Sequence, residues 1–322
     1  MADQRSVVIT GASRGLGLAT ATHLHRAGWT VVAAARSPDE AIDRLREQTG
    51  APPADRRLIG VRLDLDDPGS IETAARAILD AVGAPDGVVH NAGIAVVGSL
   101  EELPMQTWEQ IFSTNFFGPV RLTRALLPAM RASGQGRIVM VSSQGAIRGM
   151  PGIGAYAASK SALERWAESL SFEIGPFGLG VTVLVAGSFK TDILELTQTF
   201  ADADGPYAGL HAGLEASGRR FLRFAGRPER FAPAVERALE EACPFTRHGV
   251  GIDARLLLIG SRLLPAWLLQ RITTRALGIP RPRAFSGPAS ESPECRVAGK
   301  GQGAAGTQLA HDVLGHPQQL EQ

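Results

Sequence analysis

Val7-Val8-Ile9-Thr10 runs straight into Gly11-Ala12-Ser13-Arg14-Gly15-Leu16-Gly17, and this stretch decides the fold. An apolar, β-branched run of strand length ends in three glycines spaced G-x-x-x-G-x-G, and a helical pattern follows. Glycine permits a tight turn and lets a ligand approach the backbone closely. The free N–H groups and partial positive charge of a helix start suit a pyrophosphate. Gly11, Ser13, Arg14, Gly15, Leu16 and Gly17 are therefore candidate dinucleotide contacts.

Working outward, strand-length apolar runs recur at 5–10, 29–35, 58–63, 86–90, 136–142, 180–186 and 246–250. Helical patterns near 15–27, 39–48, 68–82, 107–131, 155–175 and 228–242 separate them. Several of the strands are apolar throughout, as expected of parallel strands covered on both faces. The alternation predicts βαβ units in a doubly wound α/β sheet. Residues 188–226 break the rhythm and read as an insertion at the carboxyl ends of the strands, where such sheets bind ligands.

The 322-residue chain has net charge +1, 44% hydrophobic and 20% charged residues, a globular composition with no bulk electrostatic signal for nucleic acid. Two cysteines, Cys243 and Cys295, make neither a disulfide framework nor a metal-ligand spacing. No apolar signal region and no apolar run of membrane-spanning length are visible, so a reducing, cytoplasmic setting is expected.

The second strand ends Ala35-Arg36 where a ribose 2′-hydroxyl would usually meet a carboxylate. Arg36 and Arg14 offer guanidinium groups for a 2′-phosphate instead, which favours NADP(H) over NAD(H). Asp64, after the third strand, can accept from the adenine amine, and Asn91-Ala92-Gly93 follows the fourth, with Gly93 allowing backbone near the cofactor. Turn chemistry alone would also account for these residue types. In Tyr156-Ala157-Ala158-Ser159-Lys160 a phenol and an ammonium share one helix face, although the chain has only two tyrosines and three lysines. A nearby cation is expected to lower the phenol pKa toward neutrality and fit it for proton exchange with an alcohol or carbonyl.

With Thr10–Gly17, Asn91-Ala92-Gly93, Asn115, Ser143, Tyr156 and Lys160 in place, the chain resembles the short-chain dehydrogenase/reductase family over about residues 5–250. The resemblance implies a Rossmann-type sheet in a single domain. It implies that Ser143 hydrogen-bonds the substrate oxygen, Tyr156 exchanges the proton, Lys160 binds the nicotinamide ribose and Asn115 holds a relay water. Ser142 is the rival to Ser143. Hydride passes directly between cofactor and substrate, so no metal is needed. After the sixth strand Gly187 and Thr191 match the family and would face the carboxamide, but Ala186 stands where a proline is common, which puts loop rigidity in doubt. The family also implies pairing through 107–131 and 155–175 into a dimer or tetramer.

The expected organisation is a catalytic domain over 1–252, an amphipathic helical extension over 253–280 and a disordered tail over 281–322. Phe189, Leu194, Phe200 and Tyr207 suggest an apolar lid beside the Gly149–Gly152 turn. The stretch from Arg247 to Leu277 resembles the C-terminal part of steroid- and retinol-type members, which implies a lipophilic alcohol or ketone. Pro265 should kink or restart the extension, which could cover the pocket, join subunits or lie on a membrane surface; packing on its own domain is the favoured reading. A 3-oxoacyl thioester reductase is the competing activity, disfavoured by the long extension. A non-catalytic NADP-binding sensor or scaffold is disfavoured by the complete set Asn115, Ser143, Tyr156 and Lys160.

Overall fold

A computed structural model describes residues 5–191, 197–223 and 225–279. Leu194 of the expected lid and the expected tail lie outside the described residues.

Seven parallel strands form the sheet in the order β3-β2-β1-β4-β6-β7-β9. They are β1 (Ser6–Thr10), β2 (Thr30–Ala35), β3 (Leu58–Arg62), β4 (Gly87–His90), β6 (Gly136–Ser143), β7 (Leu179–Ala186) and β9 (Phe245–Val250). Each lies within one residue of the sequence expectation at either end, and β1, β4 and β7 are buried along their whole length, as parallel strands covered on both faces are. The strand order reverses between β1 and β4, and ligands bind at such a switch point, beyond the carboxyl ends.

Alternate strand residues feed two cores. Val7 and Ile9 face α1 (Gly15–Arg26), α2 (Pro38–Thr49) and α9 (Ala232–Leu239), meeting Leu18, Leu24, Leu45, Phe231 and Val235. Val8 and Val32 face α3 (Pro68–Val82), α5 (Gly118–Ser133) and α7 (Gly154–Ile174), meeting Ile71, Leu122, Leu126, Leu163 and Leu170. Local chemistry sets the helix limits. Pro38 and Pro68 sit in first turns, Asp67 caps α3 by accepting from the Gly69 N–H at 2.9 Å, and Gly50 and Gly134 take the left-handed C-cap at φ 72° and 71°.

The helix expected over 107–131 is three pieces: α4 (Met105–Phe112), a π-helical turn (Ser113–Phe117) and α5. Close approach to Leu65 is possible only at Gly118, where a Cβ would lie 2.7 Å from the Leu65 Cβ. The insertion holds two elements with weak sequence signals. A three-residue strand, β8 (Gln198–Phe200), pairs in parallel with β5 (Val96–Gly98), and α8 (Ala208–Leu222) follows. The short helix α6 (Gln144–Ile147) follows β6. The extension restarts at Pro265 as expected, dividing into α10 (Ile252–Leu263) and α11 (Ala266–Ala276). Ala254 and Leu258 bury α10 against the domain core. Among the described residues no helix is long and apolar enough to cross a membrane.

Candidate active site

The glycine turn is built by exclusion of side chains. Gly11 and Gly15 hold φ 69° and 54°, and a Cβ on Gly17 would lie 2.1 Å from the Gly11 carbonyl oxygen. No side chain caps α1, so its first N–H groups remain available to a phosphate. Thr10 Oγ1 accepts from the N–H groups of Asn91 and Ala92 at 3.1 and 3.0 Å, and the Asn91 amide donates to the Thr10 carbonyl at 2.9 Å. Asn91 thus clamps the ends of β1 and β4 together and shapes the crevice. Thr191 lies against Gly15, where a Cβ would stand 3.4 Å from the threonine Cβ.

Arg14 and Arg36 are both exposed near the turn and the end of β2. Arg44, which the sequence reading missed, donates from Nη1 to the Ser13 carbonyl at 3.0 Å and pairs with Glu40 at 2.5 Å. It lies a helix away in sequence, so spacing could not flag it. Asp64 follows β3, and its carboxylate accepts from the Asp66 N–H at 3.1 Å in a local turn.

Ser143, Tyr156, Lys160, Asn115 and Gly93 converge at the carboxyl end of β4 and β6. Tyr156 and Ser143 stand side by side: a Cβ on Gly145 would lie 3.6 Å from the Tyr156 ring and 3.7 Å from Ser143 Oγ. Lys160 is buried and donates from Nζ to the Val141 carbonyl at 3.0 Å. A Cβ on Gly93 would lie 3.1 Å from Asn115 Oδ1 and 3.3 Å from Lys160 Nζ, so only glycine leaves that space open. Asn115 sits inside the π-helical turn. Its amide donates to the Ile94 carbonyl at 2.9 Å and to Ser159 Oγ at 3.0 Å, and its oxygen accepts from the Ile94 N–H at 2.9 Å. These bonds fix the strand that leaves Gly93. A π turn at such a point is common at functional sites.

Ser142 is excluded as the active serine. It is buried and donates to Glu164 Oε1 at 2.6 Å. Glu164, one turn beyond Lys160, also pairs with Arg247 of β9 at 2.5 Å. Burial raises the Glu164 carboxyl above its ordinary range, with Ser142 and Arg247 opposing the rise.

The electrostatics correct one expectation. Burial pushes the Tyr156 phenol above its ordinary pKa, and the Ser143 hydrogen bond only partly offsets this. Burial also brings Lys160 down to about 8, against the favourable field of Glu164. Desolvation therefore sets the direction, and the phenol is not acidified as the one-turn spacing to a cation had suggested. His90, unnoticed in the sequence, is held neutral by burial and by the Lys160 charge, with its pKa near 3, and its Nε2 lies 2.8 Å from Thr123 Oγ1.

The loop after β7 is tethered by hydrogen bonds at Gly187, Ser188 and Lys190 where a proline is common in the family. The Gly187 N–H donates to the Val250 carbonyl at 2.8 Å, and the Ser188 N–H donates to Asp253 Oδ2 at 2.7 Å. A Cβ on Gly187 would fall 2.0 Å from Asp253 Oδ1. Lys190 and Gly226 lock the next turn through an N–H to carbonyl bond of 2.9 Å. Phe189, expected in a lid, is core: it is buried edge-on against Phe231 with centroids 5.5 Å apart. Phe200 packs on the cluster of Val96, Leu103, Ile111 and Ala155. On α8, Leu214 reaches the Gly149–Gly152 turn, where a Cβ on Gly152 would meet it at 3.1 Å. Tyr207 is half-buried, and the neighbouring Glu101 carboxylate raises its phenol pKa.

The pattern of the short chain dehydrogenase family matches residues 5–201. An uncharacterized oxidoreductase of Escherichia coli K12, YbbO, is 35% identical over 84% of this chain and 94% of its own. Mouse retinol dehydrogenase 5 is 30% identical over 86% of this chain and 89% of its own. The crystal structure of a short-chain dehydrogenase from Streptomyces avermitilis superposes with TM-score 0.71 at 32% identity, covering 87% of this chain and all of that one. Matching pattern, shared sheet and similar relatives agree that the chain belongs to the short-chain dehydrogenase/reductase family of oxidoreductases, which bind a nicotinamide dinucleotide.

Proposed function

We propose that the chain is an NADP(H)-dependent carbonyl reductase or alcohol dehydrogenase acting on a lipophilic substrate. The observation that carries this reading is the convergence of Ser143, Tyr156 and buried Lys160 beside the side-chain-free space at Gly93. The glycine turn and the uncapped start of α1 would hold the pyrophosphate, and exposed Arg14 and Arg36, with Arg44 held on the Ser13 carbonyl, would offer guanidinium groups to a 2′-phosphate. Lys160 would hold the nicotinamide ribose, and the backbone at Gly187 and Thr191 would face the carboxamide.

The nicotinamide, when bound, supplies or accepts the hydride. Ser143 Oγ donates a hydrogen bond to the substrate oxygen and orients it. In reduction, Tyr156 gives its phenolic proton to that oxygen as the carbon becomes an alcohol carbon; in oxidation the proton returns. A phenol kept protonated by burial is in the form that donates to the substrate oxygen. The Lys160 ammonium stabilises the phenolate left behind. Asn115 anchors the backbone beside the site and is the residue to which a relay water would bind.

A lipophilic substrate is supported by the likeness to a retinol dehydrogenase and by apolar groups around the Gly149–Gly152 turn, Leu214 and Val97 among them. Pairing of subunits through 107–131 and α7 is supported by exposed Phe117, which ends the π-helical turn before α5, and by exposed Phe172 on α7. The free, exposed Cys243 suits the reducing cytoplasm.

The test is an NADPH-oxidation screen against steroid, retinoid, acyl and small-ketone carbonyls. Tyr156→Phe should lower kcat about 1,000-fold, about 4 kcal/mol of barrier, with NADPH binding retained. An unchanged kcat would remove Tyr156 from the reaction. Arg36→Ala should weaken NADPH about tenfold and NADH hardly at all; equal weakening in a fluorescence titration would return Arg36 to the solvated surface.

A further inference from the structure

We infer that the outer face of α10 and α11 is a docking surface for an anionic lipid bilayer. Ile252, Leu256, Ile259 and Leu263 follow one another at four-, three- and four-residue steps, which places them in one stripe along α10. Ile252 and Leu263 are 78% and 75% exposed. The side of α10 that packs inward is a different one, carrying Ala254 and Leu258. Beyond Pro265, Trp267 is 65% exposed and Ile272 is also exposed. An apolar row on a helix already anchored by its other face is not explained by the fold's own core.

The charges beside the row identify the occupant. Arg255, Arg262, Arg271 and Arg275 are exposed on the same two helices. Residues 252–279 contain one acid, Asp253, and its carboxylate is turned inward to the Ser188 and Ala254 N–H groups at 2.7 and 2.9 Å. A row of leucine, isoleucine and tryptophan flanked by arginine and free of outward acid fits the boundary between acyl chains and anionic headgroups. Self-pairing of this face would set arginine against arginine with no carboxylate to receive it.

The surface lies beside the substrate side of the molecule. Asp253 at the start of α10 holds the loop after β7, and Arg148, following α6, donates to Gln270 of α11. Docking would bring that side to the bilayer. The inference stands apart from the catalytic reading, because it is tested by binding without turnover.

The experiment is co-sedimentation of the full chain with phosphatidylcholine vesicles, with and without phosphatidylglycerol. Binding is expected with phosphatidylglycerol and not without it. Leu256→Glu/Leu263→Glu should lower the partition coefficient at least about tenfold while the melting temperature, set by buried residues, stays the same. Arg262→Glu/Arg271→Glu should lower it similarly. Vesicles should shift tryptophan emission to the blue, and Trp267→Phe should remove the shift, since Trp29 is buried and Trp108 and Trp166 are half-buried. No partitioning, or partitioning that Leu256→Glu/Leu263→Glu retains, overturns the inference. So does a size-exclusion mass that this double variant halves, which would assign the face to a second copy.

Discussion

The two halves of the sheet position their chemistry by opposite means. On the β1–β4 side, geometry is set by missing side chains: Gly11, Gly15, Gly17 and Gly93 leave space that any Cβ would fill. On the β6–β7–β9 side, geometry is set by buried charge. Lys160, Glu164 and Arg247 interlock around Ser142, and Asp253 reaches across to the loop after β7. A cavity shaped by backbone suits an extended phosphate ligand that contacts N–H groups. Proton exchange needs groups whose ionisation is tuned, and only a desolvated, partnered cluster tunes them.

The sharpest way to break the first half is Gly17→Ala. Its methyl would overlap the Gly11 carbonyl, a backbone atom that cannot swing aside. A loss of about 4 kcal/mol in urea unfolding is expected. Stability within error of the parent would mean that the turn tolerates a side chain.

Glu164→Ala breaks the second half. It leaves Arg247, whose side chain is 21% exposed, without its partner and Ser142 without its acceptor. About 3 kcal/mol of lost stability is expected, with Glu164→Gln losing less because it keeps the Ser142 bond. If both variants unfold like the parent, the charges are dispensable and the contrast between the halves fails.

This contrast also explains what the sequence revealed. Glycines at G-x-x-x-G-x-G and the Tyr156/Lys160 pair are local, so the turn, the strands and the catalytic helix were readable from spacing. The Glu164–Arg247 and Ser188–Asp253 contacts join residues 83 and 65 positions apart and leave no local trace. The same applies to Arg44 against Ser13 and to the β5–β8 pair, whose three-residue strands are too short for a period to show. Phe189 looked like a lid residue because its partner Phe231 is far along the chain. The phenol pKa was misjudged for a related reason: one-turn spacing shows a nearby cation but not the burial of both groups.

A smaller effect tests the tether. Asp253→Ala removes the charged acceptor of the Ser188 N–H and should cost about 2 kcal/mol. Hydrogen exchange at Gly187–Lys190 should quicken while exchange in β1 and β2 is unaltered; equal change in both regions would show that Asp253 serves the whole fold. The smallest effect is a pH trend. Lys160 falls to about 8 in the folded chain from 10.5, so its protonated form weighs against folding below pH 8, and this burden fades as pH rises to 10.5. Lys160→Met should therefore compare most favourably with the parent below pH 8, by about 1 kcal/mol, and lose that advantage toward pH 10. A melting-temperature difference that is flat from pH 7 to 10 would place the ammonium in a wetter site.

The π-helical turn at Ser113–Phe117 acts as a register shifter between two segments that would otherwise compete for one phase. With its wider loop, Asn115 meets Ile94 while Leu122, Leu126 and Met130 still fall onto the sheet. Deleting one residue there would restore an ordinary spiral with its flanks still in phase, because five residues of the wide turn span about the rotation of four in an α-helix. The leucines of α5 would keep to the strands while Asn115 lost its reach to Ile94, so the cost of that deletion would fall on the amide brace and not on the core.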